Sequence, residues 1–192
     1  MCKGDFNMRN HKYLFLFTIF FFLLGFMNIH FSLFGIVCMT LPIILVLKDR
    51  KKTWCQNYCP RASLYTTCGK SKKWSSHKTP RFFIKGNMKW IMLAYFGISL
   101  TIILMSTLGV ARGVKLPMEY LRFLIVIPLP FDMPQLFDIM NIAPWLTHLS
   151  YRFYSMMMTT TFLGLILAMV YKPRTWCTIC PIATVSDVIL KK

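Results

Sequence analysis

Four cysteines in two pairs are the residues of this sequence whose type and spacing best suit chemistry. Three residues separate Cys55 from Cys59, two separate Cys177 from Cys180, and a proline follows each pair. Thiolates at these spacings suit a metal ion or an iron–sulfur cluster, because a short turn can wrap one face of the inorganic core. Two such pairs in one chain predict a centre with four thiolate ligands.

Three chemistries fit these four thiols, and the spacing alone leaves all three open. An iron–sulfur cluster would relay electrons, and this is the interpretation that we favour. A zinc or copper site would fit an assembly factor without redox turnover, and a C-x2-C pair can also exchange thiols with disulfides. An anionic centre near a membrane needs countercharge. The basic residues placed to supply it are Lys51, Lys52, Arg61, Lys172 and Arg174.

The residues around the two pairs repeat as well. Lys-Thr-Trp-Cys at 52–55 matches Arg-Thr-Trp-Cys at 174–177, and Cys-Pro-Arg-Ala at 59–62 matches Cys-Pro-Ile-Ala at 180–183. Such self-similarity indicates an internal repeat. We predict two halves, 1–89 and 90–192, each with two membrane spans followed by a Cys motif.

Composition supports a membrane protein. Apolar residues make up 56% of the 192 residues, and the polar residues cluster between long apolar runs, as in polytopic membrane proteins. The formal charge of +17 does not indicate nucleic-acid binding here, because the basic residues flank apolar spans. Positive-inside orientation and contact with anionic membrane lipids explain them better.

The predicted fold class is an all-α integral membrane protein with about four transmembrane helices arranged as two two-span repeats. Apolar runs predict spans near 11–27, 31–47, 90–110 and 154–171. A single helix over 13–47 would be about 50 Å long, too long for a hydrocarbon core of about 30 Å. Asn28 and His30 interrupt this run, so we place a tight turn there.

Charge asymmetry predicts the topology. Of the 23 Lys and Arg residues, 19 lie in 1–12, 48–89 and 172–192, and 4 lie in 111–153. Cytoplasmic segments are enriched in these residues, so we expect a multi-pass protein of the cell membrane with both termini and both Cys motifs in the cytoplasm. In the outer segment, the apolar stretch 123–127 stops at Pro128. It is too short to cross a bilayer, and we expect it to lie at the interface or to re-enter between helices.

The motifs resemble those of a known group, the membrane-embedded ferredoxin-like proteins of the NapH, NosR and CcoG type. The resemblance rests on Cys55, Cys59 and Pro60 in one motif, on Cys177, Cys180 and Pro181 in the other, and on the pattern of spans around them. It implies a 4Fe-4S cluster and electron transfer to or from redox partner proteins. The second motif has two residues between its cysteines where the group has three, and no soluble ferredoxin run is appended.

The remaining candidates carry weaker expectations. Cys68 lies alone in the basic loop, where a lone thiol is more often neither a ligand nor a resolving thiol. His30 and His148 fall near span ends, where we expect hydrogen bonding rather than haem ligation. Trp54 and Trp176 either shield the centre from water or mark the interface. No nucleophile and base are paired in the sequence, so we expect an electron-transfer component rather than an enzyme alone. The sequence is compatible with an oligomer.

Overall fold

A computed structural model describes residues 13–71, 79–80, 82–83, 87–118, 120–124, 127–128 and 142–190, and most of these are helical. The α-helices are α1 Leu14–Met27, α2 Phe34–Asp49, α3 Pro60–Ser71, α4 Met88–Ala111, α5 Pro144–Val170, α6 Thr175–Ile179 and α7 Pro181–Leu190. A 3-10 turn, Ile29–Leu33, precedes α2, and a π-helical turn, Trp54–Tyr58, precedes α3. Two short antiparallel strands, β1 Arg122–Phe123 and β2 Ile127–Pro128, are the other regular elements of the described residues. The predicted all-α class is confirmed.

Three helices are long and apolar enough to cross a membrane. They are Ile29–Asp49, which combines the 3-10 turn with α2, Met88–Ala111, which is α4, and Pro144–Val170, which is α5. They have 21, 24 and 27 residues. At 1.5 Å per residue, even the shortest is about 31 Å long, which matches a hydrocarbon core. The predicted first span corresponds to α1, whose 14 residues reach only about 21 Å. The number of spans therefore remains a prediction.

The predicted break between the first two apolar helices is present. Helix α1 ends at Met27, and Asn28 adopts an extended backbone with φ of −154°. The Asn28 side chain accepts a hydrogen bond of 2.9 Å from the backbone N–H of His30. Because an asparagine side chain can satisfy the first N–H groups of a helix, Asn28 both ends one helix and starts the next turn.

The described residues fall into two compact units, each built from separate stretches of chain. Unit 1 comprises 1–19, 39–93 and 164–192, and unit 2 comprises 20–38 and 94–163. Both Cys motifs belong to unit 1. The predicted division into halves at residue 89 stays a prediction.

In unit 2, a buried cluster joins the 3-10 turn, the segment that precedes β1, and α5. It contains Ile29, Met118, Leu121, Tyr151 and Tyr154. Helix α5 begins at Pro144, ten residues before the predicted start of the last span. The helix therefore extends beyond the predicted span. The polar residues at 147–152 lower the local hydropathy, but several of them have hydrogen-bond partners inside the protein.

Candidate metal centre

The first Cys motif folds as a tight turn followed by a helix. Cys55 is the second residue of the π-helical turn Trp54–Tyr58, and Cys59 follows it with φ −71° and ψ 110°. Pro60 then begins α3. Proline is favoured at the first helical position, because its φ suits a helix and its lack of an N–H costs nothing there. The second cysteine of the pair is thus placed at the helix entrance.

The second motif has the same plan with one residue fewer. Cys177 lies in α6, Cys180 follows with φ −60° and ψ 127°, and Pro181 begins α7. In α3 and in α7, the first backbone hydrogen bond is accepted by the carbonyl oxygen of the preceding cysteine. The N–H of Ser63 donates to Cys59 O at 3.3 Å, and that of Thr184 donates to Cys180 O at 3.0 Å. A π turn holds one more residue than an α turn, so it accommodates the longer C-x3-C spacing.

Contacts within unit 1 tie the first motif and α3 to the second motif. Lys52 Nζ forms an ion pair with a carboxylate oxygen of Asp187 in α7. The hydroxyl of Thr79 lies 3.1 Å from that of the buried Thr175 at the start of α6. At Gly69, a side chain would meet Pro173 within 3.2 Å, so α3 passes close to the loop that leads into α6.

A second close approach joins α3 to the end of α5. Tyr65 of α3 is 1% exposed. A Cβ placed on Gly164 would lie 2.9 Å from Tyr65 Cε1 and closer still to two other atoms of that side chain. Glycine at 164 is therefore what lets the tyrosine ring lie against the α5 backbone.

The four motif cysteines interact electrostatically. Burial raises the pKa of the Cys177 thiol, and the thiolates of Cys59, Cys180 and Cys55 raise it further, while Arg174 opposes them. Tyr65 shares this environment. Burial raises its pKa most, Arg61 opposes that effect, and three of the thiolates add to it.

The donor set fits a cationic or cluster cofactor. All four cysteines are half-buried, and four thiolates in one neighbourhood repel each other unless a bound cation offsets their charge. Among the side chains that the structure describes, no three or more His, Cys, Asp or Glu are arranged to hold a metal ion. The described thiols are therefore not arranged around one point, and the four-cysteine ligand set remains a prediction.

The predicted supporting residues take different roles. Arg174 acts directly on Cys177, whereas Lys52 is engaged by Asp187. Trp176 is 4% exposed, which fits shielding better than a place at the lipid interface. The Trp54 ring is half-buried, with its centroid 6.5 Å from that of Tyr58. Cys68 is half-buried in α3.

Both described histidines make hydrogen bonds, as expected. Nε2 of His30 lies 3.2 Å from the hydroxyl of Thr147. Nδ1 of His148 accepts from the N–H of Met118 at 3.0 Å. The other two histidines, at 11 and 77, lie outside the described residues.

Tyr65 and Gly164 are the residues near the centre that sequence reasoning missed. They are 99 positions apart in the sequence, and neither belongs to a motif. The one available signal was the position of Tyr65 in the helix that Pro60 begins, six residues after Cys59.

Comparison with known proteins points to the same two Cys motifs. A family model described as a 4Fe-4S binding domain matches residues 31–80 and 154–192, the two stretches that contain the Cys motifs. No curated protein and no solved structure matches the chain. The family match supports a 4Fe-4S binding protein with an iron–sulfur electron-transfer role. The expected cofactor, an iron–sulfur cluster, is thereby confirmed.

Proposed function

We propose that this chain is a membrane-embedded electron-transfer protein whose single 4Fe-4S cluster is bound by Cys55, Cys59, Cys177 and Cys180. It would relay electrons one at a time between redox partner proteins, as the resemblance to the NapH, NosR and CcoG type implies. The three long apolar helices support the membrane location, and the distribution of Lys and Arg supports cytoplasmic Cys motifs.

One observation carries the proposal: the two Cys motifs, 118 residues or more apart in the sequence, occur in one compact unit, in which the Lys52–Asp187 ion pair connects the stretches that contain them. A chain in which each pair served a separate purpose would not need this arrangement. The Thr79–Thr175 hydrogen bond and the Tyr65–Gly164 approach hold it in place.

The protein's part in the chemistry is to bind, stabilise and insulate the cofactor. An iron–sulfur cluster, when bound, supplies a one-electron carrier whose potential depends on charge, hydrogen bonding and exposure. Cys59 and Cys180 immediately precede α3 and α7. The N-terminal end of a helix carries partial positive charge, so both helices favour thiolates at these positions.

Arg174 and Trp176 contribute to this environment in different ways. Arg174 brings positive charge to Cys177, which favours the anionic, cofactor-bound state. Trp176, next to Cys177 in the sequence, is buried and would keep water from that side of the site. Exclusion of water lowers the local dielectric, which strengthens each of these charge interactions.

The first experiment measures iron, zinc and acid-labile sulfide in anaerobically purified protein. We expect about four iron and four sulfide per chain, with broad visible absorbance that bleaches on reduction. Zinc without sulfide would instead mean a metal-binding assembly factor. A metal-free protein that forms mixed disulfides when one cysteine of a pair is changed would mean thiol exchange.

Cysteine variants then test the ligand set. Cys55→Ser and Cys177→Ser, one from each motif, should each lose most of the bound iron and sulfide. Cys68→Ser is the matched control, because Cys68 is equally half-buried, lies in α3 of the same unit, and is not in a pair. Loss of the cluster from the control alone, or its retention in both motif variants, would refute the assignment.

A further inference from the structure

Unit 2 contains an extended segment that lies along one face of α5. The backbone N–H of Met118 donates to Nδ1 of His148 at 3.0 Å, and that of Arg122 donates to Oγ of Ser155 at 3.1 Å. The N–H of Leu124 donates to the hydroxyl of Thr159 at 3.4 Å. The segment therefore follows α5 in the same direction, and polar side chains of the helix satisfy its backbone.

This register brings two arginines together. His148, Ser155 and Thr159 are spaced by seven and four residues, which places them on one stripe of a helix. Arg152 is four residues after His148 and three before Ser155, so it lies on the same stripe of α5. Ser155 accepts the hydrogen bond from the backbone of Arg122, and this places the two arginines close to each other along the helix. The two guanidinium groups repel each other, and both also act on His148, as does Lys115.

Both guanidinium groups have hydrogen-bonding capacity to spare. The Nε atoms of Arg122 and Arg152 are buried, and within the described residues neither has a hydrogen-bond partner. Arg122 donates from its terminal nitrogen to the hydroxyl of Tyr120 and lies 5.0 Å from that ring. The described residues of unit 2 contain no Asp or Glu. Among those residues no anion offsets the two cations, and an uncompensated pair of cations is costly in or near a membrane.

The position of the pair along α5 suits a lipid headgroup. Arg152 is eight residues from Pro144, or about 12 Å along the helix. An arginine there can extend its side chain toward the interface. Trp145 marks that end of α5 and is 42% exposed, as expected for an interfacial tryptophan.

Apolar side chains lie next to a third cation at this end of the unit. Lys115 stands between Val114 and Leu116, which are 76% and 90% exposed. Exposed apolar groups beside a basic residue suit a molecule with an anionic head and acyl chains. Guanidinium groups match phosphate oxygens with two hydrogen bonds each.

From this arrangement we infer that Arg122 and Arg152 together bind a phosphate group, which an anionic phospholipid supplies from its headgroup. The remaining terminal nitrogens donate to the phosphate oxygens, and Lys115 adds charge at the edge. The site belongs to unit 2 and does not depend on the iron–sulfur centre of unit 1.

The test uses the full-length protein, delipidated in a neutral detergent. Thermal unfolding and native mass spectrometry are recorded with phosphatidylglycerol, with phosphatidylcholine, or with inorganic phosphate. The variants are Arg122→Leu and Arg152→Leu, and Arg112→Leu is the control, because Arg112 is an exposed cation of the same unit. Arg152→Lys keeps the charge but loses the paired geometry.

We expect phosphatidylglycerol to raise the melting temperature of the wild type and of Arg112→Leu, and to remain bound to both in the mass spectrometer. Arg122→Leu and Arg152→Leu should bind it at least about tenfold more weakly, since hydrogen bonds to charged groups are strong. Arg152→Lys should fall between them.

Two results would count against the inference. An equal response to inorganic phosphate would support a phosphate site and overturn the lipid as its source. No response of the wild type to either anion, or an equal loss in Arg112→Leu, would overturn the site itself. Because iron and sulfide content is measured on the same samples, a failure here is distinguishable from a failure of the proposed function.

Discussion

Replacing Gly164 by alanine tests how closely α3 and α5 must approach beside the Cys motifs. The new methyl group would lie 2.9 Å from Cε1 of Tyr65 and nearer to two other atoms of the same side chain. Real side chains do not tolerate such distances, and Tyr65 is 1% exposed, so its ring has little room to move.

The magnitude follows from two opposing effects. Alanine is favoured over glycine within a helix by about 1 kcal/mol. Overpacking of a buried site costs about 1–3 kcal/mol. We therefore expect Gly164→Ala to lower the free energy of unfolding by up to about 2 kcal/mol. A displaced Tyr65 would also disturb Cys59 and Cys177, with which it interacts electrostatically, so the iron–sulfur absorbance should bleach faster in air.

Two other glycine variants serve as controls in the same thermal unfolding and bleaching assays. At Gly97 in α4 an added Cβ meets nothing within 4 Å, so Gly97→Ala should keep or raise stability. At Gly25 the added Cβ lies 2.9 Å from Cδ2 of Tyr154 in unit 2, so Gly25→Ala should lose stability without faster bleaching. Equal behaviour of Gly164→Ala and Gly97→Ala would refute the packing argument. Equal bleaching in Gly164→Ala and Gly25→Ala would refute the link between Tyr65 and the centre.

Two further predictions concern single polar contacts. A double-mutant cycle with Lys52→Met and Asp187→Asn should give a coupling below about 1 kcal/mol, since the side chains are 23% and 51% exposed and water screens the pair; a coupling of several kcal/mol in chemical unfolding would contradict this. Ser32→Ala should cost about 0.5–1.5 kcal/mol, because the fully buried Ser32 hydroxyl donates to the backbone oxygen of Ser150 at 2.9 Å. Thr101→Ala is its control, since that exposed hydroxyl bonds within its own helix, and equal melting temperatures of the two variants would argue against the Ser32 contact.

Local signals in the sequence were enough to predict the long apolar helices. The apolar run at 90–110 became Met88–Ala111, and Asn28 marks the predicted break because its side chain caps the next turn. The hydropathy of the sequence did not indicate where α5 begins. His148 and Arg152 lower the apolar average there, but the helix continues through them, because His148 finds Met118 and Ser106 as partners. Those partners are 30 and 42 residues away in the sequence, so a hydropathy average over neighbouring residues does not include them.

The candidate site also has features that were predictable from the sequence and features that were not. The four cysteines and the following prolines were visible as a repeat, and each proline begins a helix as its chemistry requires. The closeness of Tyr65 to Gly164 was not visible, since it depends on how α3 packs against α5. The extra residue between Cys55 and Cys59 was also visible, but the sequence does not say that a π turn absorbs it.

That difference in turn type makes the two sides of the centre unequal. Cys59 and Cys180 leave their turns with nearly the same backbone angles and enter helices in the same way, so the second cysteine of each pair is placed alike. The environments of the first cysteines differ. Trp176, which precedes Cys177, is 4% exposed, whereas its counterpart Trp54, which precedes Cys55, is half-buried. The first motif is therefore the more solvent-exposed side of the centre. Under the proposed function, a water-soluble redox partner would approach at this side, because electron transfer is faster over a short path through the protein.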